Sequence, residues 1–164
     1  IAISVVRQAD GSLKDTARNI LDTGVFTVSL PARSQGPEMV GTASRLPPDV
    51  SEIAVLDIPA VDGDVVSAPR PRDAPFAMEC RLLESVEVGH ARVFIGEVVC
   101  FHLAEAARGE GRDGNPVVDI AAMEALGRLG GPDYVEVREV SRVEARIVPP
   151  NAVSRDAATG PDPK

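Results

Sequence analysis

The hydrophobic positions of the chain follow mainly the periodicity of β-strands. Residues 1–6 are apolar and rich in β-branched side chains, which predicts a first strand, and Val25–Leu30 predicts a second. Phe76–Val88 and Ala91–Leu103 predict two long strands joined by a tight turn at Gly89-His90, the strongest hairpin signal in the chain. We therefore expect antiparallel β-structure.

The predicted helices are short. The first covers residues 14–21, with Asp15 placed to cap it and Gly24 available to end it. Further short helices or helical turns are predicted at residues 38–45, 51–56 and 119–126. Because strands outnumber helices and do not alternate with them, the pattern favours a β-barrel with peripheral helices over a parallel, dinucleotide-binding sheet.

The chain is expected to form one domain over residues 1–147. Residues 31–74 are polar and rich in proline, and we expect them to cover the surface. Residues 127–133 predict a loop into a last strand near Tyr134. Residues 148–164 have the composition of a disordered tail. The chain opens at Ile1 within a strand pattern, so an upstream segment is expected to be missing.

The composition of the chain limits the classes of molecule that the protein is expected to bind. Seventeen basic and 25 acidic side chains give a net charge of −8, which repels nucleic-acid backbones and anionic membranes. No apolar run is long enough to span a bilayer and no signal peptide is evident, so a cytoplasmic protein is expected. Cys80 and Cys100 lie in apolar runs and are predicted to be free, buried thiols, with a disulfide or catalytic pair as the less favoured alternative.

The segment with the most chemical information starts the first predicted helix. Lys14, Asp15 and Thr16 lie at the helix start, and Asn19 follows one turn later. A phosphate would suit this position, because a helix start offers unpaired backbone N–H groups and the positive end of the helix dipole. The ammonium, hydroxyl and amide side chains add further groups that can bind it. An ordinary capped surface helix is the alternative on spacing alone.

Two glycine-rich segments are weaker candidates. Residues 109–114 match the spacing GxGxxG, but Asn115-Pro116 follows instead of a helix and the loop carries acidic groups, so a flexible surface loop is expected. Residues 127–134 place Arg128 and Tyr134 around a loop that permits close backbone approach. That loop could line an anionic ligand or be a simple tight turn.

Other catalytic and metal chemistry lacks support in the sequence. His90 and His102 are too isolated along the chain for a zinc site, so no metal is expected. Neither a GxSxG motif nor a P-loop is present, which argues against hydrolases and NTPases of those types.

The order of several weak motifs resembles the flavin reductase-like domain family of FMN-binding split barrels. The similar stretches are Lys14-Asp15-Thr16 to Asn19-Ile20, residues 23–30, Thr42-Ala43-Ser44, residues 47–52, residues 74–82, residues 94–99 and residues 127–131. The resemblance extends from about Ile1 to Tyr134 and implies a mainly β fold, a split β-barrel with short peripheral helices.

The resemblance also implies a function. Family members bind FMN, usually at a homodimer interface, and typical members pass hydride from NAD(P)H to flavin; FAD remains an alternative cofactor. It implies that Lys14, Asp15, Thr16 and Asn19 contact the phosphate and ribityl end of the flavin. Arg128, Gly130 and Gly131 would lie near the flavin or nicotinamide. Whether a partner monooxygenase takes the electrons is left open.

Two departures from the family pattern leave alternatives open. Relatives usually carry several strands before the point where Ile1 falls, and those strands contact the flavin ring. Asp133 also precedes Tyr134 where relatives often have an aromatic pair. A flavin-binding electron carrier without reductase activity and a split barrel that has lost its cofactor and acts as an interaction module are therefore the alternatives.

Overall fold

The computed structural model describes residues 1–141 and residue 143. The predicted boundary at residue 147 and the predicted tail, residues 148–164, lie outside the described residues. None of the described helices is both long and apolar enough to span a bilayer.

A four-stranded antiparallel sheet forms the body of the molecule, with the strand order β1-β6-β5-β2. Its strands are β1 (Ala2–Val6), β2 (Val25–Leu30), β5 (Phe76–Val88) and β6 (Ala91–Leu103). The β5–β6 hairpin has the predicted bounds, and Gly89 adopts a positive φ of 55° in its turn, where a residue without Cβ is favoured. The prediction of a mainly β, antiparallel fold is confirmed.

Short elements surround this sheet. The helices are α1 (Asp15–Thr23), α2 (Gly36–Gly41) and α3 (Glu52–Val55). Three small antiparallel pairs complete the described chain: β3 (Ala60–Val61) with β4 (Arg70–Pro71), β7 (Arg108–Glu110) with β8 (Pro116–Val118), and β9 (Leu126–Gly130) with β10 (Asp133–Glu136). Each helix lies close to a predicted one, with bounds that differ by a few residues.

The main core lies between α1 and one face of the sheet. Its fully buried members are Ala17 and Ile20 on α1, Phe26 on β2, Cys80 on β5 and Phe94 on β6. The apolar side chains of α1 recur three residues apart, which places them on the helix face that meets the sheet. Packing against this core therefore fixes where α1 begins relative to the strands.

A close approach within the core depends on a glycine. A Cβ at Gly96 on β6 would lie 2.6 Å from Cζ of Phe26, which is closer than non-bonded carbon atoms pack. The absence of a side chain at Gly96 allows the Phe26 ring to pack against β6.

Two local predictions are wrong. Residues 119–126 form a turn followed by the start of β9 rather than a helical turn, because Ala125 bridges to Ala32 and Leu126 pairs with β10. A single helical turn gains few hydrogen bonds for the residues it orders, so strand pairing is favoured there. The predicted loop at residues 127–133 is a hairpin with a tight turn at Gly131, where φ is 54°. The predicted surface loop at residues 109–114 lies at the β7–β8 turn, and only its first two residues belong to β7.

Candidate functional site

The site starts at the N-terminus of α1, where Lys14 occupies the N-cap position in an extended conformation. No side chain caps the helix, which differs from the predicted role of Asp15. Asp15 is the first helical residue, and its carboxylate accepts a hydrogen bond from Arg18, three residues later on the same face. Because no side chain occupies the helix start, its first backbone N–H groups remain available to an anion.

A cavity of about 340 Å³ opens at this helix start. Lys14, Asp15 and Thr16 line one side of it. The chain around the end of α2 lines another side, and Arg7 and its neighbours after β1 line a third. The full lining is Arg7, Gln8, Ala9, Lys14, Asp15, Thr16, Thr42, Ala43, Ser44, Arg45, Leu46 and Glu52.

The cavity lining carries three cations and two carboxylates, a small excess of positive charge in a chain whose net charge is −8. Lys14, Arg45 and Arg7 contribute three cations, and neither Lys14 nor Arg45 takes part in an ion pair within the described residues. Arg7 forms an ion pair with Glu87, in which Nη2 of Arg7 lies 2.6 Å from Oε1 of Glu87. The unpaired cations near a helix N-terminus make this a suitable place for an anion.

Glu87 lies outside the cavity and holds the side chain of Arg7, which lines it. It accepts hydrogen bonds from both Arg92 and Arg7. The hydrogen bond from Arg92 holds the pKa of Glu87 below its ordinary value. Burial raises this pKa by a smaller amount, and Arg7 lowers it further. Arg7 also donates to the carbonyl of Gly11 at 3.0 Å, so the turn that leads to Lys14 is tied to the strand before it.

The sequence-predicted site residues fall into two places. Lys14, Asp15 and Thr16 lie in the cavity wall, and Asn19 lies exposed one turn further along α1. Arg128, Gly130 and Gly131 belong to the β9–β10 hairpin and do not line this cavity within the described chain.

The β9–β10 hairpin has its own internal contacts. Arg128 donates to the Gly131 carbonyl at 3.2 Å, and its guanidinium lies 6.0 Å from the centre of the Tyr134 ring. Both contacts hold the Arg128 side chain over its own turn. In the described structure this hairpin is therefore separate from the group around Lys14.

Sequence reasoning missed part of the lining. Ser44 and Arg45 reach the same cavity as Lys14, although about 30 residues separate them along the chain. Thr42-Ala43-Ser44 was one of the stretches that resemble the flavin family, and this was the available signal. Arg7 carries no motif, so only the tertiary structure identifies it.

A second cavity of about 380 Å³ adjoins the first and shares Thr42 with it. Its lining mixes apolar groups such as Leu30 and Met39 with polar ones, as small-molecule sites commonly do. Ser29 contributes a buried hydroxyl oxygen that has no hydrogen-bond partner among the described residues. A buried hydroxyl without a partner is costly, and a bound polar group would satisfy it.

A different set of polar groups meets on the sheet at Glu79. This carboxylate is completely buried, although a charged group is rarely buried without partners. It accepts hydrogen bonds from the backbone N–H groups of Asp64, Val65 and Val66 at 2.7, 2.8 and 2.8 Å, and it lies 2.6 Å from Nε2 of His102. His102, which is isolated along the sequence, is therefore part of a cluster in three dimensions.

The ionisation of Glu79 follows from these contacts. Burial is the largest influence and raises the pKa of Glu79, because it penalises the charged form. The hydrogen bond from His102 and the three backbone N–H groups outweigh burial and lower the pKa of Glu79 to about 2. Glu79 is thus a buried anion that holds residues 64–66 against the sheet.

The comparisons with known proteins agree with the fold and the order of motifs. The family model described as "Flavin reductase like domain" matches residues 3–122. A protein of Deinococcus radiodurans without an assigned function is 36% identical over 131 residues, which cover 80% of this chain and 57% of the relative. The chain thus spans little more than half of that relative's length.

Two solved structures have the same fold. Nitrilotriacetate monooxygenase component B from Bacillus cereus is 31% identical with a TM-score of 0.77, and the match covers 87% of this chain and 70% of that one. A protein of Shewanella frigidimarina described by its split barrel domain is 19% identical with a TM-score of 0.73, covering 88% of this chain and 70% of that one. The expected split-barrel architecture is confirmed, and the chain belongs to the flavin reductase-like domain family.

Proposed function

We propose that this chain binds FMN, with the flavin phosphate in the cavity at the start of α1, and that it serves the transfer of hydride from NAD(P)H to flavin. The observation that carries the proposal is the meeting of Lys14, Arg45 and the open N-terminus of α1 in one cavity of an otherwise acidic protein. Family membership supports the choice of a flavin over other phosphorylated ligands.

The residues present suit the phosphate end of this cofactor. The ammonium of Lys14 and the guanidinium of Arg45 supply charge, and the hydroxyls of Thr16 and Ser44 supply donors. Asn19 lies one turn beyond Thr16, where its amide would meet the ribityl chain. The ring would extend toward the adjoining cavity, where the hydroxyl of Ser29 lacks a partner.

The chemistry divides between cofactor and protein. A bound flavin supplies the ring that accepts hydride from NAD(P)H. The residues of this chain would bind the phosphate and fix the position of the ring, and this role requires no general base. A partner monooxygenase that uses the reduced flavin is part of the proposal, because a similar structure is named as a monooxygenase component.

Titration with three flavins tests the binding proposal. The fluorescence of FMN should be quenched saturably as it binds the protein, and FMN should bind more tightly than riboflavin, which lacks the phosphate. The affinity for FAD shows whether a larger flavin is accepted. Equal affinity for FMN and riboflavin would exclude the phosphate site at α1. If no flavin binds, the proposed function is wrong and a barrel without cofactor is favoured.

A second assay separates a reductase from an electron carrier. Oxidation of NADH and NADPH is followed at 340 nm, about the absorption maximum of the reduced nicotinamide, with FMN in excess. Turnover with either nucleotide supports hydride transfer. Flavin binding without turnover would contradict the reductase proposal and favour a flavin-binding electron carrier.

A further inference from the structure

Four potential metal-binding side chains meet on the face of the sheet opposite the main core. They are Asp64, Glu79, Cys100 and His102, and one potential ligand atom from each lies within 4.8 Å of those of the others. None of the four lines either of the cavities described above. The cluster is therefore independent of the proposed flavin site.

The strand register explains why these side chains meet. Cys100 and His102 are two residues apart on β6, so their side chains point to the same face of the sheet. Glu79 pairs directly with Cys100 across the β5–β6 ladder. A register shift follows Glu79, and such irregularities often redirect side chains near functional sites. Asp64 is brought to the cluster by the loop between β3 and β4, which Glu79 holds through backbone hydrogen bonds.

Glu79 itself has no capacity left for a ligand. Its two oxygens accept three backbone N–H groups and one contact from His102, which uses the four lone-pair sites of a carboxylate. An ionised carboxylate only accepts hydrogen bonds, so Nε2 of His102 must carry the proton in this 2.6 Å contact. In the neutral ring, Nδ1 then presents its lone pair to the other groups.

This is the arrangement in which a histidine binds a metal. A metal-bound histidine usually donates its second ring N–H to a carboxylate, which fixes the tautomer and the ring plane. Nδ1 of His102 lies 4.0 Å from Oδ2 of Asp64, and Sγ of Cys100 lies within 4.8 Å of a ring nitrogen of His102 and of a carboxylate oxygen of Asp64. Donors around a tetrahedral zinc ion lie roughly 3.4–3.6 Å apart, so the ligand atoms, which lie within 4.8 Å of one another, would have to approach by at most about 1.4 Å.

We propose that His102 Nδ1, the Cys100 thiolate and the Asp64 carboxylate bind a divalent transition-metal ion of the zinc type, with Glu79 holding the His102 ring. Three protein ligands leave a fourth position open to water or another ligand. The mixture of nitrogen, sulfur and oxygen donors suits zinc and cobalt better than magnesium or calcium, which prefer oxygen ligands alone.

The side chains differ in how freely they can adjust. The Asp64 side chain is 69% exposed and free to turn toward an ion, whereas the His102 side chain is only 14% exposed and is held by Glu79. The competing role for His102 is a purely structural one, in which a protonated ring lies between Glu79 and Asp64 and binds no metal. Cobalt binding distinguishes the two roles, because only the metal site forms a thiolate bond.

The test is a titration of the reduced, metal-free chain with Co²⁺ at neutral pH. We expect one equivalent to bind, with visible bands of a tetrahedral ion and a near-ultraviolet band from thiolate to cobalt, and we expect Zn²⁺ to displace it. Cys100→Ser should remove the near-ultraviolet band. Asp64→Asn changes an exposed side chain and should weaken binding at least tenfold without affecting the fold.

Cys80→Ala is the matched control. Cys80 is buried in the main core on the other face, and burial raises the pKa of its thiol, so it should make no contribution to the spectrum. Circular dichroism of each variant reports whether it folds. Absence of a thiolate band in the unmodified protein overturns the proposal, as does a band that persists in Cys100→Ser or is lost in a folded Cys80→Ala variant.

Discussion

At the scale of single residues, Lys14 makes the most direct connection between sequence and proposed function. It is exposed at the N-cap of α1, lines the cavity and has no ion-pair partner among the described residues. An ammonium in this position can meet a phosphate without first breaking an internal contact. Its contribution to binding should therefore be measurable.

Lys14→Ala should weaken FMN binding by about 1.5–3 kcal/mol, or roughly 10- to 150-fold in Kd, because one charge-assisted contact is lost. Riboflavin affinity should stay unchanged, since riboflavin has no phosphate. Arg112→Ala is the control, because it removes an exposed cation in the β7–β8 turn, outside the cavity. Unchanged FMN affinity in Lys14→Ala would refute the phosphate assignment.

Glu79 is the residue whose ionisation matters most for stability. Its pKa is about 2 in the folded protein, below the ordinary value of 4.5. Between these values the unfolded chain binds a proton that the folded chain does not, so the free energy of unfolding rises with pH across this window. The stabilisation is present above about pH 4.5 and is lost as the pH falls toward 2.

Glu79→Gln should lower the free energy of unfolding at neutral pH by about 3 kcal/mol, because it removes a buried charge from its partners and places an amide against backbone donors. The variant should also show a weaker dependence on pH between about 4.5 and 2. Urea unfolding at several pH values measures both effects. Glu84→Gln, an exposed change on the same strand, is the control, and an equal loss in both variants would contradict this account.

At the scale of elements, the packing of β2 on β6 depends on the missing side chain of Gly96. The Phe26 ring on β2 reaches across β5 and lies where a Cβ of residue 96 would be. The β-strand pattern alone tolerates any small residue at this position, so the requirement comes from a side chain two strands away in the sheet.

Gly96→Ala should therefore lower the free energy of unfolding by about 1–3 kcal/mol through overpacking. Gly130→Ala on β9 is the matched control for stability, because a Cβ there meets no atom within 4 Å and the backbone has no positive φ. Chemical denaturation of the two variants measures the difference. Similar stability of both would show that Phe26 moves aside at little cost.

At the scale of the whole molecule, large apolar side chains remain exposed on the sheet and the β9–β10 hairpin. Leu83, Phe101 and Leu129 are 66%, 65% and 72% exposed. Single exposed apolar side chains are normal on a protein surface, so these three do not define an interface by themselves. The homodimer expected from the family resemblance offers a partner surface for them and remains a proposal.

The dimer proposal predicts that the chain sediments with twice its 17.2 kDa mass at micromolar concentration. Combining Leu83→Ser with Phe101→Ser should shift the equilibrium toward monomer, whereas Val40→Ser on α2, which is also exposed, should leave it unchanged. Analytical ultracentrifugation over a range of concentrations gives the masses. A monomeric unmodified chain, or a double variant that dimerises normally, would refute an interface on the β5–β6 hairpin.

The sequence by itself determined the four strands of the main sheet, the first helix and the family. The β5–β6 hairpin, β2 and the end of α1 at Gly24 follow from alternation, β-branched residues and glycine, which act between near neighbours. The predictions failed between residues 119 and 133, because the pairing of Leu126 with β10 and the bridge from Ala125 to the distant Ala32 overrode a weak helical pattern. Local signals are reliable where tertiary contacts agree with them.

Only the tertiary structure decided which distant residues meet. Arg45 and Lys14 line the same cavity although about 30 residues separate them, and no periodicity along the chain encodes that arrangement. Asp64, Glu79 and His102 come together through a loop and two strands, so His102 is isolated in the sequence and enclosed in the fold. Strand register and the hydrogen bonds of a buried carboxylate set these distances, and both depend on the whole sheet being formed.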